Sequence, residues 1–313
     1  MTRMVATTVL LALAWFTVLN LATSLISWGA ALALQRRGVQ PRAAVLLSVR
    51  LFPAGASLLV TLVLFVPAHW ISETRGLNES FGWALYLMAA AGATLMVRGA
   101  ARAVALGRAD RRLRARERGS ALVPQVREAE GVPGLALAGL LRTRILIGRR
   151  VAASLTAAEL DVAIAHEIAH RRAVDNLKRW ALHCAPDFFG SSAIAERTER
   201  AWHAAAESLA DARAVHGDTQ RALDLASALI KVARLTAAPP SFGRTPVWSP
   251  FNDPVLLKRR VHQLTSDVPV AAPCHPVRTA GAVVLLLVLT ALLVPVLSGA
   301  IHGMTEAAVA FLP

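Results

Sequence analysis

His166, Glu167 and His170 stand in the order H-E-x-x-H, and that spacing is where chemistry first becomes legible in the chain. On a helix, side chains four residues apart are about 40° apart around the axis, so the two imidazoles project from one face and can hold a single Zn²⁺ from the same side. Glu167, next to the first of them, can reach a water on that metal. Zinc lowers the pKa of its water to about 7, and a neighbouring carboxylate can then take the proton as the water attacks a carbonyl. Five letters also describe an exposed helix that happens to carry two histidines and a glutamate, so the surroundings decide.

Those surroundings predict a helix. Thr156-Ala157-Ala158-Glu159 has the form of a capping box that starts one near Ala157. Leu160, Ile164 and Ile168 then supply a buried face, and the helix is expected to run to about Cys184. Upstream, the apolar stretch Gly134 to Ile147 reads as short strands, the last being Arg144 to Ile147. Downstream, Pro186 and Gly190 mark a loop, and a helix follows from Ala193 to Val215. Gly217 stops it, and Asp218 caps another that reaches Leu235. Pro239-Pro240 to Pro254 reads as irregular, and Val255 to Leu264 as a short basic helix.

A catalytic zinc site needs a third protein ligand and an open position. Glu207 can supply the ligand, with Asp211 one turn later accepting a hydrogen bond from a ligand histidine. Taken alone, the two carboxylates would read as solvent-facing; on a helix able to pack across H-E-x-x-H they read as a metal ligand and its support. His203 lies one turn before Glu207 on the same predicted face and could also approach the metal. The pairing of Glu207 with Asp211 points to Glu207. For an oxyanion donor, the candidates are His203, Arg213 and His216.

The rest of the chain points to a membrane. Of 313 residues 55% are hydrophobic, and mean hydropathy is +0.48, too apolar for an ordinary soluble enzyme. Apolar runs at Val5–Leu34, Leu51–Trp70, Phe81–Val97 and Thr279–Ala300 predict four transmembrane helices. The net charge of +14 comes almost entirely from arginine. Four arginines fall in residues 35–50 and eight in 98–118, against one in 71–80. By the positive-inside rule this puts both termini outside a bacterial-type cell membrane and the region after Val97 in the cytoplasm. The basic residues flank apolar segments and no nucleic-acid motif is visible, so they are assigned to lipid contact rather than to direct nucleic-acid binding. Cys184 and Cys274 fit no disulfide framework.

With these pieces assembled, the chain resembles the membrane gluzincins, in which H-E-x-x-H is followed by E-x-x-x-D. Within that group it is most similar to the BlaR/MecR-type integral-membrane zinc metallopeptidases. The likeness rests on Ala165-His166-Glu167-Ile168-Ala169-His170-Arg171-Arg172 followed by Asp175-Asn176, on Gly139 to Leu155, and on Leu257-Lys258-Arg259-Arg260-Val261. Three spans before the peptidase domain and one after also match. The implied architecture is an α-helical membrane protein with four transmembrane helices and an α+β zincin-like domain between the third and fourth. Residues 1–106 would hold three spans, 107–278 the cytoplasmic peptidase, 279–303 the fourth span, and 304–313 a short extracytoplasmic tail.

The resemblance implies a zinc metalloendopeptidase acting on a cytoplasmic protein substrate, such as a transcriptional repressor, in signal-regulated proteolysis, with homo-oligomerisation or a sensor partner relaying the signal. BlaR/MecR sensors carry a penicillin-binding domain after the fourth span; none follows here, so β-lactam sensing by acylation is not expected. A substrate peptide is expected to lie along an edge strand formed by Ile145, Leu146 and Ile147. The alternatives are a quality-control peptidase of the HtpX/CAAX-prenyl-protease type, which shares the chemistry, and a non-catalytic membrane receptor or scaffold.

Overall fold

The computed structural model describes residues 2–37, 42–72, 81–116, 121–123, 126–128, 134–236, 248–250, 254–266, 299–300, 303–307 and 309. The chain divides into two compact units. One comprises Met1–Ala100, Ala185–Thr198 and Cys274–Pro313; the other comprises Ala101–Cys184 and Glu199–Pro273. The chain is mostly helical, with one small mixed sheet.

Among the described residues, three helices are long and apolar enough to cross a membrane: Thr2–Arg36, Ala43–Ile71 and Trp83–Arg112, the last of which runs from the first unit into the second. They coincide with the first three apolar runs of the sequence; the fourth run lies almost wholly outside the described residues. α1 is Thr2–Arg36. The second span is α2 (Ala43–Leu59), π-helical turns (Val60–Phe65) and α3 (Val66–Ser72), and α4 is Trp83–Arg116. Polarity runs inside out. Thr17, Asn20, Ser24, Ser27, Arg50 and Ser57 are buried, while Leu25, Ile26, Leu62, Trp83, Leu87 and Val97 are exposed. Water penalises that distribution and lipid favours it.

The buried polar groups satisfy one another. Pro53 has no N–H to offer the carbonyl of Val49 one turn earlier, and the Ser27 hydroxyl of α1 donates to that carbonyl instead. Thr17 donates to the Met88 carbonyl at 2.8 Å. At the same crossing a Cβ on Gly92 would lie 2.6 Å from the Leu13 carbonyl oxygen, so only glycine lets α4 approach α1 this closely. The loop at 185–192 belongs to this unit and inserts Asp187, whose side chain is fully buried. Ser24 donates to it at 2.8 Å, Trp28 at 3.2 Å, Arg50 at 3.3 Å and the Phe189 backbone N–H at 2.9 Å.

The second unit is built on the strands β1 (Ala121–Val123), β2 (Val126–Glu128), β3 (Leu135–Ala138), β4 (Arg144–Ile147) and β5 (Trp248–Pro250), in spatial order β1-β2-β4-β3-β5. β2 and β4 are parallel; the other pairs are antiparallel. The helices are α5 (Arg149–Ser154), α6 (Ala157–Arg172), α7 (Asp175–Cys184), α8 (Ala193–Val215, which begins in the first unit), α9 (Thr219–Leu235) and α10 (Pro254–Thr265). Leu135, Leu137, Ile145 and Ile147 from one face of the sheet pack with Val162 and Ala163 of α6 and with Leu225, Ala228, Leu229 and Val232 of α9. The alternate residues of that strand pair, Ala136 and Leu146, are buried as well, so the sheet is covered on both faces.

Two expectations require correction. Ile145, Leu146 and Ile147 do form a strand, but not an edge. They pair with Val126–Glu128 on one side and Leu135–Leu137 on the other, so no backbone group is left to receive a peptide. The flanking strands β1, β2 and β5 are three residues each, too short to announce themselves by alternation, and β5 lies in the stretch expected to be irregular. Nor does the helix starting at Ala157 continue to Cys184. It stops at Arg172, and the chain passes through Val174 in the left-handed region (φ 51°) before α7 begins. That conformation is strained for a β-branched residue.

α6 starts as the sequence predicts. Thr156 accepts from the Glu159 N–H, and the Glu159 side chain accepts from the Thr156 N–H. Glu159 also accepts from Ser227 at 2.6 Å and Lys231 at 2.8 Å, which ties α6 to α9. Burial works to raise this carboxyl, but the bonds from Lys231, Ser227 and Thr156 prevail and hold it at about 2, against 4.5 for a free glutamate. Because the folded value is the lower one, the stabilisation is complete above pH 4.5 and is lost as pH falls towards 2. Glu159→Gln should cost about 1–3 kcal/mol at pH 7 and flatten the pH dependence of unfolding across that window, as measured by thermal melts. An unchanged acid limb would show that the staple does not hold α6.

Candidate metal centre

α6 presents His166, Glu167 and His170 into the interior, where they are 0%, 1% and 1% exposed. α8 brings Glu207 against them. One ligand atom from each of His166, His170 and Glu207 falls within a span of 4.8 Å. The two Nε2 atoms are 3.1 Å apart; His166 Nε2 lies 3.4 Å from Glu207 Oε2, and His170 Nε2 lies 3.4 Å from Glu207 Oε1. Ligand bonds of about 2.0–2.1 Å in tetrahedral array would set such atoms about 3.4 Å apart. The two 3.4 Å distances run to different oxygens of one carboxylate, and the three side chains lie close enough together to share a small divalent ion.

The far side of each ring is fixed by its own carboxylate. His166 Nδ1 is 2.9 Å from Asp211 Oδ1, and His170 Nδ1 is 2.7 Å from Asp175 Oδ2. A carboxylate at Nδ1 holds the proton there and leaves the Nε2 lone pair for a metal. Two such lone pairs facing each other at 3.1 Å repel unless something positive lies between them. Burial works to lower the His170 pKa, but the Glu207 carboxylate and the Asp175 hydrogen bond outweigh it and raise it to about 10. A proton on His170 would stand in for a cation there.

Two guanidiniums complete the charge pattern. Arg260 of α10, 2% exposed, donates to both Asp211 oxygens at 2.6 and 2.8 Å and stands 3.0 Å from Glu207 Oε2 without hydrogen-bond alignment. Its Nη2 is about equally far, 3.4 and 3.5 Å, from the two His166 ring nitrogens, so it lies across the ring rather than on a lone pair. Arg179 of α7 donates to Glu207 Oε1 at 3.2 Å. Burial favours the neutral form of Glu207, yet His170, Arg260 and the histidine hydrogen bonds hold its pKa well below the usual carboxylate range. Asp211 is likewise held low, by Arg260 and His166 against burial.

Glu167 differs from these carboxylates. Both of its oxygens are buried and neither has a hydrogen-bond partner among the described residues; burial raises its pKa above the ordinary value, opposed by the nearby histidines. An orphaned carboxylate beside two histidines that could hold a metal is suited to accepting a proton from a group bound there. Together with the donor set, it fits a divalent ion with one position left for chemistry. Beside His170 opens a cavity of about 300 Å³ bounded by Leu137, Leu140, Leu141, Thr143 and Val174.

Of the other residues singled out from the sequence, His203 lies one turn before Glu207, partly buried, with its ring edge-on to Trp202 at 5.0 Å. Burial and the Arg179 charge push its pKa down to about 4, so it is a neutral imidazole. Arg213 is six residues beyond Glu207 and thus on another face of α8; His216 is exposed, past the helix end. Neither belongs to the cluster.

The roles of Asp175, Arg179 and Arg260 were not legible in the sequence. On an unbroken helix Asp175 would point about 140° away from His170; only the turn at Val174 brings it back. Arg260 looks no different from Lys258 and Arg259 in the same basic run. No family model matches the chain, and no curated protein matches it.

Glu207→Ala should lose most bound metal, and His203→Ala should keep it. Asp175→Asn should weaken binding about 10–100-fold by releasing the His170 ring. Metal content of the purified variants after dialysis is the measurement. Metal kept without Glu207 but lost without His203 would overturn the ligand assignment.

Proposed function

We propose that this chain is a membrane-anchored zinc-dependent endopeptidase of the BlaR/MecR type, hydrolysing peptide bonds of a cytoplasmic protein in signal-regulated proteolysis. The observation that carries the reading is the buried triangle of His166, His170 and Glu207 with the unpartnered Glu167 carboxylate beside it. Two imidazoles and one carboxylate are a ligand set of catalytic zinc sites. When bound, zinc supplies a Lewis acid that lowers the pKa of water and polarises a carbonyl.

The chain's own residues do the rest. Glu167 takes a proton from the attacking water and returns it to the leaving amine. Asp175 and Asp211 keep the two rings in the tautomer that frees Nε2. The cavity beside His170 gives a substrate side chain room next to the scissile bond. Residues 279–303 are the fourth span, both termini lie outside, and the zincin-like unit is cytoplasmic; the inside-out polarity of α1 to α4 and the distribution of arginine support this. The substrate is a regulator such as a repressor, and the signal arrives through the spans or through a partner.

Glu167→Gln should keep metal and fold and abolish cleavage, because an amide cannot accept the proton. Comparing proteomes of cells carrying wild type and this variant should reveal fragments present only with wild type; the same fragments in both would sink the mechanism. Reporter fusions at Gly76 and Ser120 should report opposite sides of the membrane, and a shared side would refute the topology.

A further inference from the structure

We propose that Arg179 is a catalytic residue of this reaction, donating to the oxyanion that develops on the substrate carbonyl; the inference rests on the peptidase reading above. The break at Val174 sets α7 so that Asp175 reaches His170 and Arg179, one turn later, reaches Glu207. One face of α7 is thereby turned to the metal ligands.

The two guanidiniums at Glu207 are not equivalent. Arg260 is engaged throughout: Nε and Nη2 are spent on Asp211, and Nη1 faces Glu207. Arg179 is 8% exposed, and Nη2 makes its hydrogen bond to Glu207, yet its Nε is buried with no hydrogen-bond partner among the described residues. A buried charged donor without an acceptor is rarely kept without a use. Its charge is felt at Glu167 and at His203, so it lies near the proton acceptor. The acceptor that arrives there during catalysis is the carbonyl oxygen of the bond being cut.

Water adds its oxygen to the carbonyl carbon, the C=O π pair moves onto the carbonyl oxygen, and the water's proton passes to Glu167. Arg179 donates a hydrogen bond to that oxygen and keeps its own proton. The pair then re-forms C=O, the C–N bond breaks, and the proton on Glu167 goes to the leaving nitrogen. Fixed donors aimed at such charge contribute about 100- to 1000-fold in rate. His203 offers one neutral N–H at most, and Arg213 and His216 lie outside the cluster.

The test uses the full chain in detergent, zinc-loaded, with fluorescently labelled casein as substrate. Arg179→Gln should retain one zinc per chain, lower kcat about 100-fold or more, and leave KM within about threefold. A phosphinic peptide, which mimics the tetrahedral anion, should bind the variant about 100-fold more weakly, while a peptide hydroxamate loses little; Arg179→Lys should recover part of both losses. Zinc lost together with activity would make Arg179 a tether for Glu207 and overturn the proposal, as would unchanged kcat or equal weakening of both inhibitors. If Arg179→Gln does not fold, Arg179→Lys decides by the same inhibitor pair. A wild-type chain that neither holds zinc nor cleaves casein defeats the peptidase reading itself and this proposal with it; a wild type that does both, beside an unaffected variant, defeats the proposal alone.

Discussion

The carboxylates of Glu167, Asp175, Glu207 and Asp211 are buried in one cluster, together with two guanidiniums, Arg179 and Arg260, and two imidazoles. Lys178 reaches Asp175 from the surface at 3.1 Å, where water screens it. Buried negative charge exceeds buried positive charge, and burying an uncompensated carboxylate costs far more than any single hydrogen bond returns. The raised pKa values of His170 and Glu167 work towards closing that gap, as a divalent cation between the two Nε2 atoms and Glu207 would. The aiming of both Nε2 atoms, the clamping of Glu207 and the low pKa values of Glu207 and Asp211 follow from that imbalance.

Helix placement serves the same end. The staple through Glu159 fixes α6 to α9, the sheet backs α6 through Leu137 and Ile145, and the strained turn at Val174 redirects α7 so that Asp175 and Arg179 face inward. Strain at such a segment persists where the surrounding contacts over-determine it, and here His170–Asp175 spans the turn while Arg179–Glu207 anchors the helix that follows it. The membrane-type unit solves a different problem with similar means: Asp187 gathers donors from Ser24, Trp28, Arg50 and Phe189, so that its charge is compensated away from water.

Much of this was legible from residue types and spacing. The capping box at Thr156, the bounds of α8, the cap at Asp218 and the first three apolar helices all appear where local chemistry puts them. What escaped depended on tertiary context. A three-residue strand carries no usable period, so nothing in the sequence marks β1, β2 and β5, and without them β4 reads as an edge although it lies inside the sheet. Asp175 escaped because the redirecting residue is a valine, which nothing local marks for a left-handed turn. Arg260 escaped because burial, not composition, separates it from Lys258 and Arg259. The nearness of Glu207 and Asp211 to the two histidines was readable because the carboxylates sit one turn apart on a single helix.

The central claim is that His166, His170 and Glu207 together bind one zinc ion. X-ray absorption at the zinc edge, on the full chain loaded with one equivalent and passed through gel filtration, tests it directly. A bound, four-coordinate zinc with two imidazoles and oxygen in the remaining positions at about 2.0–2.1 Å is the expected result. Zinc that washes away, or a shell containing sulfur or lacking imidazole, would contradict it.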